Sequence, residues 1–534
     1  MNPVDHLAML PILLPLVAAA LMLPLGEPRR PLKVALNLAS TLALVAVAVA
    51  LAMRAATGSV EVYRLGDWPA PFAIVLVVDR LAAIMLLATS VLAFCSLLFS
   101  LARWHRVGVH FHPLFQFLLM GLNGAFLTGD LFNLFVFFEV LLVASYGLAM
   151  HGSGSRRVQV GLHYIAVNLA ASLLFLLGVS LIYGVAGTLN MADLALRVPT
   201  IPAADRPLLE AGAALLGTAF LTKAAAWPLG FWLEDTYAAA SAPVAALFAM
   251  MSKLGVYAIA RVWLLLFGVA AGPSAGLGAD WLLAAGIATL VFGMLGVLAA
   301  QEMARLAANS VLVSSGLLIA MIAVGDAQVI GAAFYYLVVS TFTLGAFFLL
   351  VELADRGRHA AADILAVTRE AFGEDEDETD DDEIGVAIPA AVALLGLAFL
   401  GCALLLAGLP PLAGFVGKFM LLDALFTALT PASGDAAPVA WVLLALLLLS
   451  SFATLIAMSR AGLNRFWAPL EARVPRVRII EMMPVALLLA ACAGLTVAAG
   501  PALDYAAAAA RALTAPQAYV EGVLPPATAS EAAP

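Results

Sequence analysis

The sequence predicts an all-α polytopic membrane protein with about 14 transmembrane helices. Of its 534 residues, 64% are hydrophobic and 11% are charged, and the mean hydropathy is +1.04. Such a chain is too apolar to be a water-soluble globular protein. Apolar stretches of about 20 residues recur from one end to the other, and each can cross roughly 30 Å of hydrocarbon as a helix. The lipid bilayer is therefore the expected solvent.

Fourteen spans follow from these stretches, and two of them are interrupted. They cover 8–26, 33–53, 77–102, 113–128, 131–150, 158–184, 208–238 (interrupted), 242–268, 280–299, 303–324, 329–354, 386–430 (interrupted), 438–460 and 482–500. No basic residue precedes the first span, so it lacks the n-region of a cleaved signal peptide and should remain as a membrane helix. Cys95, Cys402 and Cys492 lie singly inside spans, which predicts packing roles.

Basic residues between the spans predict the orientation of the chain. In the fourteen-span arrangement, sixteen Lys and Arg residues fall on one side and seven on the other. The positive-inside rule then places both termini on the outer side of the membrane. A bacterial inner membrane would put them in the periplasm.

An acidic run, Glu374–Glu383, carries nine carboxylates, and without it the formal charge of −9 would be zero. A segment this charged cannot bury apolar area, which predicts a disordered cytoplasmic loop over 355–385. A solvated loop is one interpretation. The alternative is an antenna that concentrates cations.

Three of the four lysines, Lys223, Lys253 and Lys418, fall inside predicted spans, as does Glu139. Arginine stays charged in proteins, whereas desolvation allows a lysine to give up its proton. A charge at the bilayer centre costs about 2.5–3.5 kcal/mol on insertion scales, so these groups need partners or a function. We interpret them as proton-relay residues. The alternative is that they are satisfied packing pairs or side chains that reach the membrane surface.

Two of the lysines stand beside helix breakers, in LTKAAAWPLGFW with Pro228 and in AGLPPLAGFVGKFM with Pro411. Proline removes a backbone donor and interrupts a helix. Paired broken helices in two halves of a transporter mark an ion path and an inverted repeat. Spans seven and twelve are therefore predicted to be broken, and spans 4–8 and 9–13 to be inverted five-helix repeats.

The corresponding division of the chain has five parts. Residues 1–110 hold helices 1–3, residues 111–270 the first repeat, and 278–354 with 386–462 the second repeat; 355–385 is the acidic loop, and 463–534 holds the final helix and an external tail. Among polar residues in or near the spans, His163, Ser314 and Ser315 are accessory candidates. The sequence shows no nucleotide, haem or iron–sulfur motif, and the spacing of His105, His110 and His112 predicts no metal site.

Several of these segments resemble the antiporter-like subunits shared by Mrp antiporters, respiratory complex I and membrane-bound hydrogenases, over about spans three to thirteen. The stretch 223–259, with its two lysines, broken helix and Ala-Pro turn, is similar to the seventh and eighth helices of that family. TGDLFNLFVFFEVLLVASYGL (128–148) looks like the Mrp D-type fifth helix, and GLPPLAGFVGKF resembles the broken twelfth helix. The acidic run and the stretch RLAANSVLVSSG depart from the family pattern.

The resemblance implies that Glu139 and Lys223 form an ion pair in one half-channel, that Lys253 is a central relay, and that Lys418 ends the other half-channel. It further implies a multisubunit Na⁺(K⁺)/H⁺ antiporter with A-type, C-type and small partner subunits, and neither a cofactor nor an enzyme activity. Two alternatives stay open. One is a proton-pumping subunit of a complex I-like or hydrogenase redox complex, and the other is a structural membrane scaffold.

Overall fold

A computed structural model of the chain describes residues 3–152, 154–372, 390–429, 436–467 and 477–524. It is almost entirely helical. The helices are α1 (Leu10–Met22), α2 (Arg30–Ala55), α3 (Arg80–Ser100), α4 (Phe111–Leu127), α5 (Leu131–Ala149), α6 (Ser155–Ala186), α7 (Met191–Arg197), α8 (Arg206–Lys223), α9 (Leu233–Ala239), α10 (Ala242–Leu266), α11 (Ala279–Ala299), α12 (Met303–Val324), α13 (Ala327–Phe372), α14 (Ala390–Ala407), α15 (Ala413–Leu429), α16 (Ala436–Gly462), α17 (Ile479–Val497), α18 (Ala499–Thr514) and α19 (Gln517–Val523).

The helices match the predicted spans. Within the described residues, eleven helices are long and apolar enough to cross a bilayer, and α1 and α4 are shorter apolar helices. Each of the fourteen predicted stretches contains one helix or, at the two interruptions, a pair of helices. The polytopic all-α prediction is confirmed, while the count of fourteen spans stays a prediction. Cys95, Cys402 and Cys492 are buried free thiols, as predicted.

Both predicted breaks are present. The chain leaves helical geometry between α8 and α9, directly after Lys223, and again between α14 and α15. In the second break, Gly408 adopts a left-handed backbone with φ of 74°. Glycine adopts such a backbone without the steric penalty of a side chain. The broken ends leave helix-terminal carbonyls and amides available to side chains.

The core lies around α10. All but one of its residues are buried, because α3, α8, α12 and α13 surround it. A helix that is hydrophobic on every face is typical of the centre of a bundle. Lys253 and Arg261 both lie on this helix and are buried. The positive-inside count assigns Arg261 to the outer side, but the structure places it in the protein interior.

Two ordered regions were not predicted. An antiparallel hairpin pairs β1 (Glu61–Arg64) with β2 (Val75–Val78). After α17, the predicted external tail instead forms α18, which packs against α13 and α3, and α19, which packs against α7 and β1. We name the side of the molecule that carries this hairpin and α19 the hairpin face, and the side that carries residues 103–110 and 151–157 the basic face.

Hydrogen bonds and ion pairs tie the helices together at the basic face. Arg356 pairs with Glu352 at 2.6 Å and with Glu481 at 2.5 Å, which joins α13 to α17. The indole of Trp104 donates to Glu352 at 2.7 Å. His151 Nε2 donates to the Trp104 carbonyl at 2.8 Å, and burial lowers the pKa of His151, which favours its neutral form.

The helix α13 is longer than its predicted span and continues to Phe372. The acidic run Glu374–Glu383 lies outside the described residues.

Candidate functional site

Lys223 is buried at the end of α8, where the first broken helix stops. Its ammonium nitrogen donates to the hydroxyl of Ser172 on α6 at 3.3 Å and lies 5.2 Å from the centre of the Phe138 ring. An aromatic face attracts a cation through its quadrupole. The site therefore stabilises a lysine cation with a neutral hydroxyl and a ring.

A cavity of about 20 Å³ adjoins Lys223 and is also lined by Tyr164 and Asn168 of α6. A polar space of this size can hold one water molecule. The Tyr164 hydroxyl bonds to the Ser145 hydroxyl at 2.6 Å, and this hydrogen bond connects the lining of the cavity to α5. Tyr164 and Asn168 are thus the polar neighbours of Lys223 in a cavity that apolar and aromatic side chains otherwise line.

Glu139 lies on α5 next to Phe138 and acts electrostatically on Lys223. The two residues do not form an ion pair within 4.0 Å in this structure, since the Lys223 ammonium bonds to Ser172 instead. One carboxylate oxygen of Glu139, Oε1, is buried and has no hydrogen-bond partner. The carboxylate is therefore within electrostatic range of the lysine without direct contact.

Lys253 is completely buried in the middle of α10. Its ammonium donates to Ser314 at 2.8 Å and to Ser315 at 3.3 Å, both on α12. Ser314 in turn donates to Ser340 on α13 at 3.0 Å. The structure brings the predicted central lysine and the two predicted accessory serines together.

Lys418 is buried at the start of α15, beside the second break. Its ammonium donates to the Leu406 carbonyl at 2.8 Å and the Ala407 carbonyl at 3.3 Å, which are the last carbonyls of α14. Carbonyls at a helix C-terminus lack partners in their own helix and carry partial negative charge. The Ser451 hydroxyl of α16 accepts a third bond at 2.9 Å. The broken helix thus supplies ligands for its own lysine.

The remaining predicted residues, His163, Pro228 and Pro411, make no hydrogen bond to these lysines in the described part of the chain. His163 is exposed on α6, with its ring 5.2 Å from that of Phe231. Pro228 and Pro411 are exposed at the two breaks, where they interrupt the helices. The structure therefore gives the prolines a part in shaping the breaks and provides no contact that supports a relay position for His163.

Gly255 allows α10 to approach the end of α8. A Cβ atom added there would lie 2.4 Å from the Ala224 nitrogen and 2.8 Å from the Lys223 carbonyl carbon. Real Cβ atoms do not approach backbone this closely, so a side chain would force the helices apart. The close approach brings the helix that carries Lys253 against the end of the helix that carries Lys223.

We predict that Gly255→Ala destabilises the protein by about 1–3 kcal/mol, because an added methyl overpacks a tight backbone contact. Thermal unfolding of the purified protein in detergent measures the effect. Gly184→Ala on α6 is the matched control, since its added Cβ meets nothing within 4 Å. Equal unfolding temperatures for the two variants would contradict the importance of this close contact.

A polar cavity of about 470 Å³ opens at the basic face between α6, α12 and α16. It is lined by Arg156, Glu302 and Leu306, among others. On α12, Leu306 is followed by Ser310 and Ser314 at intervals of four residues, which places them on one side of the helix. The cavity therefore lies at the end of the α12 face that reaches Lys253.

An ion pair lies on the same side of α10, two turns further along. Arg261 forms a bidentate pair with Asp79 at 2.5 and 2.7 Å. Tyr257 lies between Lys253 and Arg261 in the sequence, and its hydroxyl donates to the Phe126 carbonyl at 2.7 Å. The Tyr519 ring of α19 covers the guanidinium at 5.4 Å. The Arg261–Asp79 pair therefore lies on α10 between Lys253 and the hairpin face.

Comparison with known proteins identifies the family. Residues 128–433 match the family model described as "NADH:quinone oxidoreductase/Mrp antiporter, TM". This range contains Glu139, Lys223, Lys253 and Lys418, and it covers more than half of the chain. The chain belongs to this family.

Relatives of this antiporter family match the chain over almost its whole length. A probable K⁺/H⁺ antiporter D subunit of Rhizobium meliloti (strain 1021) is 56% identical over 97% of this chain and 98% of its own. A Na⁺/H⁺ antiporter D subunit of Bacillus subtilis (strain 168) is 33% identical over 97% and 99%. Among solved structures, a chain of the Mrp complex from Dietzia sp. DQ12-45-1b has a TM-score of 0.81 at 26% identity, covering 98% of this chain and 100% of that one.

Sequence reasoning missed several residues of this antiporter-family site. Ser172 and Ser451 bond to lysines from other helices, and Arg261 with Asp79 forms a buried pair. A serine in an apolar helix gives no local signal of what it faces. The sequence could have indicated that Arg261 is part of the site, because its spacing of eight residues from Lys253 places both on one side of a helix.

Proposed function

We propose that this chain is the D-type, proton-translocating subunit of a multisubunit Na⁺(K⁺)/H⁺ antiporter in the bacterial inner membrane. Two full-length relatives support this assignment, one named as the D subunit of a K⁺/H⁺ antiporter and the other as that of a Na⁺/H⁺ antiporter. Its partners would be the A-type, C-type and small subunits of the same complex. The protein is then a component of a secondary transporter rather than an enzyme.

The observation that carries the proposal is the chemistry of Lys223, Lys253 and Lys418. Each is desolvated, and each ammonium bonds to hydroxyls or carbonyls rather than to a carboxylate. Such a lysine can release its proton when its electrostatic surroundings change. Lys223, Lys253 and Lys418 then form a series of sites that protonate and deprotonate in turn, with Glu139 at one end.

Coulomb forces couple the successive sites. At an effective dielectric of about 20, two unit charges that approach to about 4 Å interact by roughly 4 kcal/mol, which is the attraction that a closer approach of Glu139 to Lys223 would reach. When Glu139 moves towards Lys223 it holds the proton there, and when it moves away the proton is released onward. The 470 Å³ cavity at the basic face is the proposed opening of the path towards Lys253.

A redox-linked proton pump is the second candidate, because the matching family model names both NADH:quinone oxidoreductase and Mrp antiporter. The full-length identities to antiporter D subunits favour the antiporter. The two functions differ in what drives them, since an antiporter responds to a cation gradient and a redox pump to an electron donor.

The test uses inverted membrane vesicles from cells that lack their own antiporters and express the whole operon. Respiration acidifies the vesicles, and a fluorescent pH probe reports the gradient. We expect added Na⁺ or K⁺ to collapse the gradient with the complete operon and not with an operon that lacks this gene. A complete operon that responds to no monovalent cation would contradict the proposal.

The proposed topology places both termini in the periplasm, because the basic residues concentrate on the side expected to face the cytoplasm. We predict that alkaline phosphatase fused after residue 524 is active in intact cells. The matched fusion uses the same reporter after residue 152, on the basic face, where we expect no activity. The reverse pattern would invert the topology.

A further inference from the structure

The three lysines assigned to the relay share one kind of partner, whereas the fourth buried lysine, Lys33, donates to the Val109 carbonyl at 3.3 Å. Lys223, Lys253 and Lys418 each donate to a serine hydroxyl on a different helix, at 3.3, 2.8 and 2.9 Å. The recurrence at three separate sites links the serines to the lysines rather than to the packing of any one helix pair. The three closest serines are Ser172, Ser314 and Ser451.

The arginines of this chain have a different kind of partner from the lysines. Every ion pair within the described residues uses an arginine, and none of them uses a lysine. Arg261, which is as buried as the lysines, has a bidentate carboxylate partner. Within the described residues, the ion-paired carboxylates thus belong to arginines, and the ammonium groups of Lys223, Lys253 and Lys418 bond to serine hydroxyls.

The chemistry of the two partners explains this division. A carboxylate only accepts hydrogen bonds and, through its charge, holds a nearby lysine in the protonated form. A serine hydroxyl accepts from an ammonium and, after rotation about its C–O bond, donates to the lone pair of a neutral amine. Neither protonation state of the lysine then leaves a buried polar group unsatisfied, which would be costly.

We propose that Ser172, Ser314 and Ser451 are positioning residues that keep both the charged and the neutral forms of the three lysines hydrogen-bonded, and so permit proton exchange at each site. The inference rests on the proposed function and deepens it. Ser314 is the central member, because it accepts from Lys253 and donates to Ser340.

The structure supplies two matched controls. Ser90 lies on α3, is buried, and donates within its own helix, to the Leu86 carbonyl at 2.8 Å. Ser450 is the neighbour of Ser451, and both donate to the Leu447 carbonyl. Neither control serine bonds to a lysine, so each reports the cost of removing a buried hydroxyl alone.

The decisive comparison is Ser314→Asn against Ser314→Asp, which differ in charge and hardly in shape. In vesicles that contain the whole complex, we expect Asp to hold Lys253 charged and abolish cation-dependent proton movement, while Asn retains a measurable rate. Ser314→Thr keeps the hydroxyl and should restore most of the rate. Ser314→Ala and Ser451→Ala should each slow exchange by about tenfold or more, as expected for a lost bond to a charged group, whereas Ser90→Ala and Ser450→Ala should not.

The outcomes separate the two proposals. Wild-type vesicles without any cation response contradict the antiporter assignment itself. An active wild type together with full activity in Ser314→Asp, or equal losses in Ser314→Ala and Ser90→Ala, overturns the role of the serines and leaves the antiporter assignment intact. Immunoblots of the assembled complex establish that each variant is inserted, and rescue by threonine distinguishes a functional loss from a folding defect.

Discussion

We expect the replacement of Lys253 with arginine to abolish cation-dependent proton movement even though the positive charge is kept. Lys253 is fully buried and bonds only to serine hydroxyls. Arginine cannot give up its proton in a protein, so the site would stay charged through the whole cycle. The rate of pH-gradient collapse in inverted vesicles measures the effect. We expect this rate to fall at least about 100-fold, because a permanent charge at Lys253 would repel a proton on the neighbouring relay lysines.

Lys253→Ala should be equally inactive, because it removes the proton carrier as well as the charge. Lys253→Arg is therefore the more informative variant, because it keeps the positive charge and removes only the ability to release a proton. Substantial activity in Lys253→Arg would mean that this position only provides a fixed positive charge, and the relay would have to bypass it. Complex assembly, followed by native gel electrophoresis, controls for loss of folded protein.

Replacing Arg261 with alanine causes the largest loss of stability that we predict. The variant leaves the Asp79 carboxylate buried without its bidentate partner. Removing one member of a buried ion pair costs about 3–5 kcal/mol, because an uncompensated charge remains. We expect a lower thermal unfolding temperature in detergent and less complex in the membrane.

The double variant Asp79→Asn with Arg261→Met tests the cause of that loss. Asparagine keeps the acceptor that caps α3 at the Ala82 nitrogen, and methionine fills much of the arginine volume. Replacing both members of a buried pair is usually much milder than removing one. If the double variant is as unstable as Arg261→Ala, the instability comes from lost packing around Tyr257 and Tyr519 and not from the charge.

The spanning helices were predictable because lipid imposes a simple requirement. Every backbone polar group must be bonded inside the bilayer, so long apolar stretches become helices. The two breaks were equally visible, since Pro228 and Pro411 cannot continue a helix. The helices α18 and α19 were not predicted, because the alanine-rich segment after residue 499 is shorter than a span and its docking depends on distant helices.

The site was predictable only in part. Lysine in an apolar span is a strong local signal, and Lys223, Lys253 and Lys418 are all buried. What each lysine contacts is a tertiary property. The family resemblance implied a Glu139–Lys223 ion pair, yet the structure places Ser172 at the ammonium and leaves Glu139 without direct contact. Serines and glycines such as Gly255 acquire their importance only when helices from distant parts of the sequence meet.

The most direct test of proton transfer through the buried lysines compares two versions of the operon in the same inverted vesicles, one wild type and one with Lys223→Ala in this chain. A fluorescent pH probe follows the gradient as Na⁺ or K⁺ is added. We predict that the cation collapses the gradient with the wild type and leaves it intact with the variant, while both complexes assemble. Equal gradient collapse in the two preparations would contradict proton transfer along this path.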